Sequence, residues 1–192
     1  AEEGAAAGLL TRSGADGWRL LAEVAVTGRA ARQPREAAAA LPPNPRMDVP
    51  LSADAPLLEM PLQGGAMRGM ASGRYQGQEM DFRALMQNGQ YWALAGQVGL
   101  GPDPFARLSR GKTARIALTN ETIFPHAMHL HGMHFRQIGA DGRQGPLRDT
   151  ILLMPDDRVV IAFLADNPGK WLLHCHMLGH AASGMTNWIE VA

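Results

Sequence analysis

From residue 57 onward, short apolar runs recur between glycine, proline and polar breaks. The pattern predicts strands at residues 57–60, 80–82, 91–95, 113–119, 128–131, 135–138, 150–153, 159–164, 171–175 and 187–191. Many short strands punctuated in this way make an all-β antiparallel sandwich the expected fold. Asp166-Asn167-Pro168-Gly169 is a strong turn between the 159–164 and 171–175 strands. It is expected to help fix the register of the second, where a one-residue slip would turn every side chain to the opposite face.

The first part of the chain reads differently. After the small-residue lead Ala5-Ala6-Ala7-Gly8, residues 18–26 form one strand, with Leu9-Leu10 as its candidate partner. Two strands cannot bury a core by themselves, so residues 1–28 are expected to be the closing remnant of a preceding domain. Between residues 29 and 56 alanine, arginine and proline dominate, and Pro42-Pro43-Asn44-Pro45 suggests a stiff interdomain linker, with residues 37–40 as a single helical turn. Residues 57–192 are then one complete domain.

Composition narrows the possibilities further. A chain of 192 residues accommodates one full domain and part of another. Its formal net charge is zero, which gives no reason to expect nucleic acid or an anionic membrane as partner. Only Lys112 and Lys170 are lysines among the 18 basic residues, a bias with no functional reading. No apolar run approaches the length of a membrane helix, and no secretory signal opens the chain. One cysteine excludes an internal disulfide and leaves ligation as the use of its thiol.

That cysteine lies in His174-Cys175-His176-Met177-Leu178-Gly179-His180, with Met185 five residues on. In an extended strand His174 and His176 point one way and Cys175 the other, so one tripeptide serves two sites lying back to back. On the Cys175 side, His180 and Met185 return through a tight turn, giving a soft set of thiolate, imidazole and thioether that favours copper over zinc. A second imidazole is sought in Pro125-His126-Ala127-Met128-His129-Leu130-His131-Gly132-Met133-His134-Phe135. There His129 and His131 share a face, and His126 takes the opposite one. The odd members His126 and Cys175 would go to one site and the paired histidines to the other.

These two motifs, His-x-x-His-x-His and His-Cys-His-x-x-x-His-x-x-x-x-Met, resemble those of the multicopper oxidases, which include laccases and bacterial copper-efflux oxidases. The resemblance covers roughly residues 57–192, the last Greek-key cupredoxin β-sandwich of such enzymes, with a fainter likeness before it. It implies copper as cofactor. His126, Cys175, His180 and Met185 would be a complete type 1 set, His129 a type 2 ligand, and His131, His174 and His176 type 3 ligands. Cys175, His174 and His176 would carry electrons from the type 1 copper to a three-copper cluster, where dioxygen becomes water. The family's cluster uses eight histidines and four are present, so the resemblance implies a partner: N-terminal oxidase domains or a companion fragment. It further implies a small reducing substrate, phenol or cuprous ion, and a periplasmic or secreted location.

Several residues fall outside this pattern. His134 is expected at the surface or in a supporting role, and Met128, Met133 and Met177 in packing. Asp149, in Arg148-Asp149-Thr150, matches a family strand motif and is expected to be structural. Gly179 stands where some copper-efflux oxidases carry a carboxylate, which removes one source of protons. The glycine-rich stretch Gly64-Gly65-Ala66-Met67-Arg68-Gly69-Met70 lacks the lysine of a phosphate loop and reads as a mobile loop. Met60, Met67, Met70, Met80 and Met86 around it resemble the cuprous-ion collectors of copper-efflux oxidases, with packing as the plainer role. Two competing functions remain, a non-enzymatic blue-copper electron carrier and simple copper storage. The retained His129 and His131 argue against the carrier.

Overall fold

The computed structural model describes residues 4–12, 17–28, 37–42, 44, 48–67 and 69–192. The chain divides into two compact units, Ala1–Pro43 and Asn44–Ala192. In the first, strands β1 (Ala6–Arg12) and β2 (Trp18–Ala25) form an antiparallel hairpin with a register shift at Leu9/Leu10. Every residue of β2 is exposed, Trp18 by 70%, so this pair buries no core of its own. Residues 37–40 form no helical turn, and of the expected linker, 29–56, residues 29–36, 43 and 45–47 lie outside the described residues.

The second unit holds β3 (Leu57–Gly64), β4 (Ser72–Tyr75), β5 (Gln78–Asp81), α1 (Phe82–Gln87), β6 (Trp92–Leu94), β7 (Gln97–Val98), β8 (Ala106–Leu108) and β9 (Lys112–Asn120). There follow β10 (His126–Leu130), β11 (Phe135–Ile138), β12 (Gln144–Arg148), β13 (Thr150–Leu153), β14 (Arg158–Ala165), β15 (Gly169–Cys175), α2 (Leu178–Ala182) and β16 (Thr186–Val191). They build a nine-stranded sheet ordered β12-β11-β14-β9-β3-β6-β7-β4-β5 and a five-stranded sheet ordered β13-β10-β15-β16-β8. Met60, Ile116, Leu118, Ile161 and Phe163 from the first sheet share one core with Met128, Leu130, Leu153, Leu173 and Ile189 from the second. The fold is all-β, as the alternating pattern requires. Residues 44–56 group with this unit: Ser52 N–H donates to Thr113 Oγ1 at 3.0 Å, and the Arg115 guanidinium donates to the Ala53 carbonyl at 2.6 Å.

Several elements have no clear apolar signature. The β4–β5 hairpin turns on Gln76 and Gly77, both at positive φ (50° and 80°), the geometry of a two-residue hairpin turn. Phe82, expected in a strand, instead begins α1, because the Asp81 carboxylate accepts the Ala84 N–H at 2.8 Å and caps the helix. The edge strand β12 carries a glycine and a proline, as edges tolerate. The Asp166–Gly169 turn does not pair the strands it joins. It carries the chain from one sheet to the other, and Cys175 takes its register from β10, through Met128↔Cys175, and from β16, through His174↔Thr186. Among the described residues no helix is long and apolar enough to cross a membrane.

Candidate metal centres

Adjacent strands of the five-stranded sheet position both motifs. In β10 burial alternates, with His126, Met128 and Leu130 inward and His129 half-buried on the outer face. β15 lies antiparallel beside it, Cys175 wholly buried and His174 half-buried. Alternation alone thus separates the sulfur from its two flanking imidazoles. β15 ends at Cys175, but His176 keeps the pattern because its N–H donates to the Ala127 carbonyl at 2.6 Å.

On the inner face three ligand-type atoms converge. Cys175 Sγ lies 3.8 Å from Nδ1 of His126 and 3.8 Å from Nδ1 of His180, and the two nitrogens are 3.2 Å apart. His180 is delivered by α2, whose backbone also receives Met185 N–H at the His180 carbonyl, 3.0 Å away. Met185 is buried in the same core as Cys175 and accepts the Cys175 N–H through its own carbonyl at 3.1 Å. Trp92 closes the site, with its ring centroid 5.0 Å from His126 and 4.6 Å from His180. Behind His126 stand the buried Thr122 and Asn120. None of Trp92, Thr122 and Asn120 carries a spacing signal that singles it out in the sequence.

Electrostatics here follow from burial. The His126 ring is pushed down to about 4, first by desolvation and then by the neighbouring His180, so it is neutral at physiological pH. Desolvation also lowers His180. It raises the Cys175 thiol, an effect opposed by backbone N–H groups of Met177 and Ala127 that stabilise a thiolate. A buried thiol between two neutral imidazoles is a poor arrangement for an empty core and a good one for a soft cation. The point equidistant from the three atoms lies about 2 Å from each, the length of a bond from a first-row metal to imidazole or thiolate. Sulfur and nitrogen donors in this set suit copper.

On the outer face His129, His131, His174 and His176 cluster. Ring centroids are 4.6 Å apart for His129 and His131, 5.1 Å for His131 and His174, 5.4 Å for His129 and His176, and 6.0 Å for His174 and His176. His129 Nδ1–H donates to the Asp149 carbonyl at 2.9 Å and His174 Nδ1–H to the Cys175 carbonyl at 2.9 Å, which leaves Nε2 of each ring bare. Nε2 of His131 faces Nε2 of His174 at 3.0 Å. His131 is lowered by desolvation and then by the charges of the other three rings. Asp149 sits beside His129, its carboxylate lowered chiefly by the Thr150 hydroxyl that donates to it at 3.0 Å. Among the described residues, only the His126–Cys175–His180 group brings three candidate ligand atoms within 4.8 Å of one another. The four-histidine cup is the more open of the two.

A family profile described as multicopper oxidase matches residues 75–192. The chain belongs to the multicopper oxidase family. It is 32% identical over 99 residues to multicopper oxidase MmcO of Mycobacterium tuberculosis, a match covering 52% of this chain and 19% of that protein. Over 84 residues it is 37% identical to a copper resistance protein A homolog of Pseudomonas syringae, covering 44% of this chain and 14% of the relative. Among solved structures, Lac15 from a marine microbial metagenome is 34% identical with a TM-score of 0.64, covering 98% of this chain and 39% of that one. A multi-copper oxidase from Pseudomonas thermotolerans is 25% identical with a TM-score of 0.70, covering 100% of this chain and 41% of that one. The chain therefore spans about a fifth or less of these curated relatives and about two fifths of these solved oxidases. Copper is the metal the family implies, and the donor set on both faces fits it.

Of the remaining expectations, His134 is exposed and lines a cavity of about 280 Å³ with Arg136 and Asn167, outside both clusters. Met60 is wholly buried, Met70 and Met80 pack against Leu85 and Val98, and Met67 is 76% exposed. Three of the five methionines thus have a packing role.

Proposed function

We propose that residues 57–192 are the last cupredoxin domain of an oxidase that couples one-electron oxidation of a small reducing substrate to reduction of dioxygen to water. Residues 1–28 are the closing hairpin of a preceding domain and 29–56 the connector. The observation that carries the reading is the placement of Cys175, whose Sγ faces His126 and His180 while its neighbours His174 and His176 join His129 and His131 on the opposite face. His126, Cys175, His180 and Met185 hold type 1 copper, His129 holds type 2, and His131, His174 and His176 hold type 3. Copper at these positions supplies one-electron exchange with the substrate on one face and dioxygen reduction on the other.

The chain's own residues do the positioning. Cys175 presents its sulfur in a dry pocket closed by Trp92, which excludes water from the thiolate. The peptide bonds on either side of Cys175 give the shortest covalent connection between the two faces. The carbonyls of Asp149 and Cys175 fix the rings of His129 and His174 with Nε2 outward. Leu178, on the helix that carries His180, is 71% exposed. The other four cluster histidines come from N-terminal oxidase domains or a companion polypeptide, and the protein works in the periplasm or after secretion.

The test is copper loading of the 192-residue chain alone and with a fragment carrying two further His-x-His pairs. The chain alone is expected to bind one type 1 copper tightly without turning over dioxygen, and the added fragment to restore oxygen uptake. Turnover by the lone chain would refute the shared cluster. No restoration would favour the electron-carrier reading, which the convergence of His126, Cys175 and His180 within this chain supports.

A further inference from the structure

Two polar residues outside the ligand pattern stand behind His126, both wholly buried: Asn120, which ends β9, and Thr122. The orientation of the Asn120 amide follows from its neighbours. Its Nδ2 lies 2.8 Å from the Phe124 carbonyl, 3.0 Å from that of Met154 and 3.4 Å from that of Leu153, and carbonyls only accept. Its Oδ1 therefore faces Thr122, accepting the backbone N–H at 3.0 Å and lying 2.8 Å from the hydroxyl.

A hydroxyl has one proton to give and two lone pairs to fill. Thr122 Oγ1 meets two acceptors, Asn120 Oδ1 at 2.8 Å and the Phe124 carbonyl at 3.2 Å, and one certain donor, the Phe124 N–H at 3.2 Å. Its remaining neighbour is Nε2 of His126, at 2.8 Å. If the hydroxyl turned its proton toward a bare Nε2, two oxygens with no proton between them would be left in contact in a dry core. Two contacts of 2.8 Å at Oγ1 need two protons and the hydroxyl has one, so the second is on Nε2.

We infer that Thr122, oriented by Asn120, is a positioning residue that holds His126 as its Nε2–H tautomer and aims the bare Nδ1 at Cys175 Sγ and His180 Nδ1. In the metal-free protein that lone pair accepts from His180 Nδ1–H across 3.2 Å. The opposite tautomer would place a proton inside the donor triangle. Rotating the ring to relieve it is opposed by Trp92, packed edge-on at 5.0 Å. The functional half of the inference rests on the proposed role of His126 as a copper ligand, and the tautomer does not.

The experiment is nitrogen-resolved NMR of the histidine rings in the metal-free 192-residue chain, followed by competition titration with copper(I). The wild type is expected to show His126 protonated at Nε2 and bare at Nδ1. Thr122→Ser, which keeps the hydroxyl, preserves that signature, and Thr122→Val loses it. Copper(I) affinity should fall roughly 10- to 100-fold in T122V and stay near the wild-type value in T122S. A wild-type His126 protonated at Nδ1 overturns the inference, and so does a T122V protein with unchanged tautomer and affinity. If T122V does not fold, the wild-type tautomer decides. A wild type with the Nε2–H tautomer and no copper at the triad would overturn the ligand role of His126 while the positioning by Thr122 stood.

Discussion

The two faces of one tripeptide are built to different degrees of closure. Inward, His126 and Cys175 have no exposed surface, and His180 is brought in by the next helix within the same chain. Outward, His129 keeps 19% of its side chain accessible, His176 is exposed, and the four rings form a cup rather than a cage. Burial of the inner set keeps its ligand-type atoms out of solvent. In the outer set the rings of His129 and His174 are aimed by carbonyl acceptors, and the cluster stays open to solvent. A buried cluster and an open one thus share a covalent backbone at residues 174–176.

Removing the sulfur gives the largest expected break in this comparison. Cys175→Ser should abolish the intense blue absorption of the copper-loaded chain while costing the metal-free fold only about 1–3 kcal/mol, as one buried polar group does. Surviving blue colour would mean that the thiolate is not the chromophore. Alanine at His129, His131, His174 or His176 should do the reverse: each variant keeps the blue site, and oxygen uptake by the completed assembly disappears. A variant that lost both would show that the faces are not separable.

A smaller effect distinguishes the faces by pH. The His126 ring is held near 4 in the folded protein against 6.5 unfolded, so the unfolded chain binds the extra proton first. Its contribution to stability is complete above pH 6.5 and is lost as the pH falls toward 4, by up to about 3 kcal/mol. Denaturant melts of the metal-free protein should show this slope, and His126→Gln should flatten it. Smallest is Met185→Leu, which should keep the colour and raise the reduction potential, since losing a weak donor disfavours the oxidised ion. A lowered potential would argue against Met185 as a copper ligand.

Much of this was legible in the sequence because strand alternation is a strong local rule. The spacings of His126, His129 and His131 and of His174, Cys175 and His176 carry the inward and outward assignment directly, and the structure keeps that parity even past the end of β15. The strand β4, the edge strand β12 and the helix at Phe82 escaped it. Turn geometry, an exposed edge and a cap decide those elements, and the apolar pattern does not. The support behind His126 was equally hidden. Asn120, Thr122 and Trp92 act through contacts made only after two sheets meet, and no fixed spacing announces them.

The order of strands in the five-stranded sheet also bears on how the protein is made. β16 lies between β15 and β8, yet it follows both in the chain, and its pairing with β8 is parallel. During synthesis the sheet therefore has a gap at this position until β16 arrives, and such non-local closure is slow. Cys175, at the end of β15, is made before the strand that pairs with β15 on that side. Burial of the Cys175 sulfur is therefore expected to be a late step of folding, tied to the closing of this sheet.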